Sequence, residues 1–247
     1  MVTKRFLIAV TGGITLTLAV AGFSAAQASQ GQSARQGGVP IPNPPPPRDF
    51  VRTIDNEYMP LKPGTVLRYR GKKDGQPSSV KYVITRETKT IQGVRCVVVH
   101  DTLSINGQPE ERTIDWFAQD KRGNVWYFGE DSFDLVGGTW VRSDGSWQAG
   151  VDGAVAGIAM ESDPRVGDTY RQEYYAGHAE DMAKVLRTET SVTVPYGSFR
   201  EVLKTKDWTP LDTKRAEHKF FAEGIGEVRS VMVKGGSDYE NLVSVER

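Results

Sequence analysis

The sequence predicts an all-β protein: an antiparallel sandwich or partly open barrel of about a dozen short strands, with little helix. Three observations carry that expectation. Turn-forming pairs recur along the chain, among them Asp74-Gly75, Gln92-Gly93, Asn106-Gly107 and Asp144-Gly145. Asn-Gly is the strongest of these, because both central positions of a type I′ hairpin turn want φ > 0. Between the turns, β-branched and aromatic residues alternate with polar ones, which is the period of a pleated strand. No segment carries a convincing helical period, and the βαβ pattern that accompanies a parallel sheet is missing.

The chain opens with Lys4 and Arg5, then the uncharged run Phe6 to Phe23, then Ala26-Gln27-Ala28, the small-x-small pattern of a signal-peptidase site. Thr11, Gly12, Gly13, Thr15 and Thr17 dilute the apolar run, which favours cleavage after Ala28 over a retained anchor. Residues 1–28 are therefore expected to be a signal peptide, and the protein to be exported to a periplasm or the cell exterior. No Cys lies near the cleavage site to carry a lipid, and no later segment reaches the roughly 20 apolar residues of a membrane span. Losing Lys4 and Arg5 leaves 29 basic residues against 31 acidic ones. That balance argues against nucleic acid or an anionic membrane surface as a partner. Cys96 is the only cysteine, so no intrachain disulfide forms; within Val94 to Val99 it reads as a buried structural thiol.

Residues 29–48 are Gly-rich and end in Pro40-Ile-Pro-Asn-Pro-Pro-Pro-Pro47, expected to be a disordered, extended tether. Residues 49–247 are expected to fold as a single β-rich domain. Its strands are read at Val66 to Arg70, Val80 to Thr90, Val94 to Ser104, Glu110 to Gln119 and Asn124 to Glu130. Thr139 to Ala149 reads as a small hairpin on Asp144-Gly145, and Gly150 to Met160 is weakly patterned. Strands resume at Thr169 to Tyr175 and Val185 to Val194, then at Phe199 to Lys206, Ala216 to Ala222, Glu227 to Lys234 and Tyr239 to Val245. The hairpin built on Trp116-Phe-Ala-Gln-Asp120 has an echo in Phe220-Phe-Ala-Glu-Gly224: an aromatic strand, a Gly turn and a Val-led return.

Three landmarks, Tyr58-Met-Pro-Leu-Lys-Pro-Gly-Thr-Val-Leu-Arg-Tyr69, Thr193-Val-Pro-Tyr-Gly-Ser-Phe199 and Phe220-Phe-Ala-Glu-Gly-Ile-Gly226, stand in an order that resembles a broad group of exported bacterial β-rich domains of unknown function. Glu223 replaces the Pro of that group's third landmark. The resemblance implies a half-barrel able to hold a lipid or another apolar ligand, and it implies no catalytic residues and no cofactor.

The candidate chemistry is sparse. His178-Ala-Glu-Asp181 offers three metal-ligating types in four residues, and His218 is positioned to approach it: His178, Glu180, Asp181 and His218 are the candidate metal or general-base set. Trp140, Trp147, Tyr174 and Tyr175 are the candidate ligand-binding aromatics, for an apolar or carbohydrate ligand. Asp120 to Asn124 lacks the run of oxygens that encloses calcium, and nucleophile elbows and phosphate loops are missing. Two readings follow: a binding or carrier module with an apolar cavity beside 150–160, lined by Trp, Tyr, Val and Met, or an envelope hydrolase using the His178 cluster. A structural envelope domain with protein partners is a third.

Overall fold

The protein is described by a computed structural model that covers residues 38–247, so the expected signal peptide and the first part of the tether lie outside the described residues. Fifteen strands, every pair antiparallel, make one sheet that curls into a nearly closed barrel. No α-helix occurs among the described residues, hence none long and apolar enough to cross a membrane.

The sheet is two meanders joined side by side. β1 (Val66–Lys73), β2 (Gln76–Ile91), β3 (Val94–Ile105), β4 (Gln108–Gln119) and β5 (Val125–Val136) form the first. β11 (Met182–Val194), β12 (Gly197–Trp208), β13 (Ala216–Ala222), β14 (Gly226–Lys234) and β15 (Tyr239–Glu246) form the second. β1 pairs with both β2 and β15, which unites them. Three of the connections are the two-residue turns expected from sequence. Asp74-Gly75, Gln92-Gly93 and Asn106-Gly107 each have both residues at positive φ, as a type I′ turn requires.

Short strands close the remaining gap. β6 (Thr139–Arg142), β7 (Trp147–Gln148) and β8 (Val155–Met160) all lie along the free edge of β5, while β9 (Thr169–Arg171) lies along β11. β10 (Glu173–Tyr174) pairs with β8. Only Gln172 separates β9 from β10, so the chain steps from one sheet edge to the other. Near-closure leaves only the short strands β9 and β10 as the ends of the ladder, so little edge remains on which other chains could pair.

This arrangement corrects the expected hairpin on Asp144-Gly145. β6 and β7 do not pair with each other; both pair with β5, and the turn that returns the chain is Gly137-Gly138, at φ 59° and 83°. Residues 143–146 form a bulge held by serines: Ser143 N–H donates to Ser132 O, and Ser146 Oγ accepts from Ser132 N–H at 3.0 Å. The weakly patterned stretch also resolves into a strand, β8, with Ala156, Ala159 and Met160 buried. It pairs with β5 on one side and β10 on the other.

A strap, residues 50–61, crosses one end of the barrel and ties together the two echoing hairpins. Val51 N–H donates to Gln119 O, and the Gln119 side-chain oxygen accepts from Asp55 and Asn56 N–H. Asn56 Nδ2 reaches Gly123 O in one turn, while Gly224 N–H in the other donates to Glu57 O. Ile54, Met59 and Leu61 are buried beneath it. The described part of the tether lies against the domain: Pro47–Asp49 forms a 3-10 turn, and Val39 O accepts from Arg171 Nε at 3.4 Å.

Gly157 on β8 meets the backbone of Gln172 so closely that a Cβ there would collide with it. Overpacking of this kind costs about 1–3 kcal/mol. Gly157→Ala is expected to lower the melting temperature by several degrees, roughly 2–4 °C per kcal/mol in a domain of this size, read by calorimetry.

Candidate functional site

The barrel's inner face is not apolar. Strand alternation brings Tyr82 opposite Asp101, Asp115 opposite Glu130, Thr205 opposite Lys219 and Asp207 opposite Glu217. Asp101, Asp115, Glu130, Asp207, Glu217 and Lys219 are all buried. A buried charge carries a large desolvation cost unless it is paired or neutralised by a proton. The chain does both.

Lys219 on β13 is the centre of the pairing. Its ammonium lies 3.3 Å from Glu217, 3.7 Å from Asp207 and 3.9 Å from Glu227. One ammonium cannot compensate three carboxylates, and the balance appears as retained protons. Burial pushes Glu217 up to about 8, against the pull of Lys219, and Asp181 up to about 7. Asp207 is raised for the same reason, while the Thr205 hydroxyl, donating to Asp207 Oδ1, works against it. Around β5 a second buried group is held by aromatic donors. Tyr127 Oη donates to Asp115 Oδ1 at 2.7 Å and Trp147 Nε1 to Glu173 Oε2 at 2.8 Å.

Between these groups lies a cavity of ≈ 80 Å³. It sits where β14 and β15 diverge, since those strands pair only over Arg229–Val231 and Tyr239–Asn241. Met59, Leu61, Leu67, Phe117, Phe221 and Ile225 form its apolar wall. Asp101, Asp115, Glu217 and Glu227 line the rest, with Lys219 the one cation among them. Tyr69 spans the divergence, its hydroxyl donating to Glu227 O at 2.9 Å.

The candidate metal set is not brought together. His178 is exposed and stacks on Tyr175, ring centroids 4.3 Å apart. Glu180 turns inward to Arg171 Nη1 at 3.4 Å and accepts from Gly177 N–H. Asp181 enters the Lys219 network on the barrel's inner face. His218 stands half-buried on the outer face, where burial and the neighbouring Lys204 and Lys206 lower its pKa. Among the described residues, no three His, Cys, Asp or Glu side chains converge as a metal site.

Two of the candidate aromatics share one place: Trp147, buried beside Glu173, and Tyr175 both line an outer groove, and the other two lie apart from it. Trp140 lies under the Arg112 guanidinium, 3.8 Å from its ring centroid, and Tyr174 lies at the seam near Arg171. Asp120, read as a turn residue, is one: it accepts from Arg122 and Asn124 N–H and from Trp126 Nε1. Cys96 is buried, its thiol pushed up to about 12 by burial.

Glu217 and Lys219 were within reach of the sequence. They flank His218 on an alternating strand, and only the choice of which parity faces inward was missing.

No family model matches the chain, and no curated protein matches it. Among solved structures it is similar to a presumed lipoprotein from Parabacteroides distasonis ATCC 8503, over 77% of this chain and 99% of that one, at 13% identity and a TM-score of 0.44.

The sign of the pH dependence follows from Glu217. Its folded pKa, about 8, exceeds the ordinary 4.5, so between those values the folded state holds a proton that the unfolded state releases. That contribution is fully present below about pH 4.5 and is lost as pH rises through about 8. Melting temperature is expected to fall over this window. Glu217→Gln should flatten the fall without abolishing it, because Asp181 acts with the same sign. A wild-type melting temperature that climbs over the window would contradict the assignment.

Proposed function

We propose that the protein is an exported binding module whose barrel interior receives the end of a small amphipathic ligand, its cationic or hydrogen-bond-donating head set among the interior carboxylates. The observation that supports this reading most is the cavity's division into an apolar wall and an acid-rich wall, with four carboxylates to one ammonium. A cationic head would take the place of the proton that burial pushes Glu217 to keep. The apolar wall would take a short hydrocarbon stem at about 25 cal/mol per Å² buried.

The cavity's size limits the guest. At ≈ 80 Å³ it is about half the roughly 150 Å³ of an engineered cavity that holds benzene. Only the tip of a larger molecule enters it as it stands. Strap residues Met59, Pro60 and Leu61 are the wall without strand pairing, and therefore the part that would yield to the remainder.

The test is a matched series of butylammonium, butanol and butyrate, followed by thermal shift and by isothermal calorimetry at about pH 7. Butylammonium is expected to raise the melting temperature and butyrate to leave it unchanged. Lys219→Met should strengthen the amine's effect if the variant folds, and Leu67→Asp should abolish it. Equal responses to amine and carboxylate, or none to any of the three, would overturn the reading.

A further inference from the structure

We infer a second binding site on the outside of the barrel, for a neutral polyhydroxylated ligand of the oligosaccharide class. The site is an open groove of ≈ 980 Å³ that shares no lining residue with the interior cavity. Its walls come from the β6–β7 bulge, the turn at residues 151–152, the turn at 175–178 and the loop at 211–212, with β2, β4 and β5 contributing to the floor.

The chemistry of the lining selects among ligand classes. Hydrogen-bond donors are Lys89, Arg142, Gln148 and His178; carboxylate acceptors are Asp131, Asp144, Asp152 and Asp212. Lys89 and Arg142 are close to a common partner. Arg142 donates to Asp131 Oδ1 through Nη2 at 2.7 Å and Nε at 3.0 Å, and Lys89 Nζ lies 3.2 Å above the Trp116 ring within the field of the same pair.

Four carboxylates against two fixed cations disfavour an anionic guest, and the density of charged groups disfavours a lipid. A lining that holds both donors and acceptors suits hydroxyl groups, since each hydroxyl donates one hydrogen bond and accepts others.

The groove also carries a flat apolar feature that a sugar uses. Tyr175 and His178 stack face to face with an interplanar angle of 16°, and Trp147 lines the same groove, so the wall offers a single outer ring face of the stack with a further aromatic in the lining. The C–H face of a pyranose is apolar and packs on such a face, while its hydroxyls point to the rim. Val151 and Leu211, 47% and 40% exposed, add apolar surface within the same lining.

The test uses tetrasaccharides that differ in linkage and in charge. Neutral chitotetraose, cellotetraose and maltotetraose are compared with the cationic chitosan tetramer and anionic tetragalacturonate, each by saturation-transfer NMR and calorimetry on the full chain. At least one neutral tetrasaccharide is expected to bind, more tightly than the anionic one. Tyr175→Ala and Arg142→Ala should each weaken it by about tenfold, roughly 1.4 kcal/mol. Both side chains are partly exposed, and loss of a surface ion pair such as Arg142–Asp131 leaves the fold intact.

Glu217→Gln, which alters the interior site alone, should leave saccharide binding unchanged and so separates the two sites. Absence of saturation transfer from all three neutral sugars at about millimolar concentration would overturn the inference, as would preference for a charged tetramer or indifference to Tyr175→Ala.

Discussion

The ammonium of Lys219, shared among Asp207, Glu217 and Glu227, is the interaction on which the interior depends. It links β12, β13 and β14 across the inner face. Each ion removed from water costs several kcal/mol after relaxation, so a lone buried carboxylate would neutralise or leave. Lys219 makes three of them tolerable, and protons make up the deficit. The barrel interior therefore holds polar groups at fixed positions among apolar ones such as Leu67, Phe117 and Phe221. The other side of the sheet adds apolar burial of its own. Cys96, Val98, Trp116, Trp126 and Phe128 are buried there, and Phe50 packs edge-on against Trp126 and Phe128.

Closure and the strap place this interior. Gln172 carries the chain from β9 on one edge to β10 on the other, and residues 50–61 cap the end where the two echoing hairpins turn. The cavity lies beside that cap, with Met59, Pro60 and Leu61 in its wall and the acids of β3, β4, β13 and β14 opposite.

The fold was largely legible in the sequence, and the site was not. Asn106-Gly107 and its companions located turns because positive φ is a local demand that few residue pairs meet. Ala216 to Ala222 was read to the residue. Local signals failed at Thr139 to Met160, where β6, β7 and β8 are defined by pairing to β5 and not by their own period. The site failed for a related reason. Alternation gives two faces but does not say which is inside. On β13 the search for metal ligands selected His218, which faces outward beside Lys204 and Lys206, and passed over Glu217 and Lys219, which face inward. His178, Glu180 and Asp181 show the same limit. Three adjacent residues diverge to a ring stack, to Arg171 and to the Lys219 network. Contacts such as Tyr69 to Glu227 join residues 158 apart in sequence, beyond any spacing rule.

The central claim is that the barrel interior keeps protons on carboxylates that Lys219 alone cannot compensate. The most direct measurement is the side-chain carboxyl carbon shift of Glu217, followed by NMR through a pH titration and assigned with Glu217→Gln. The account predicts a midpoint of about 8, well above the roughly 4.3 of a solvated glutamate. A midpoint in the ordinary carboxylate range would show that the interior is already neutralised by other means, and would contradict it.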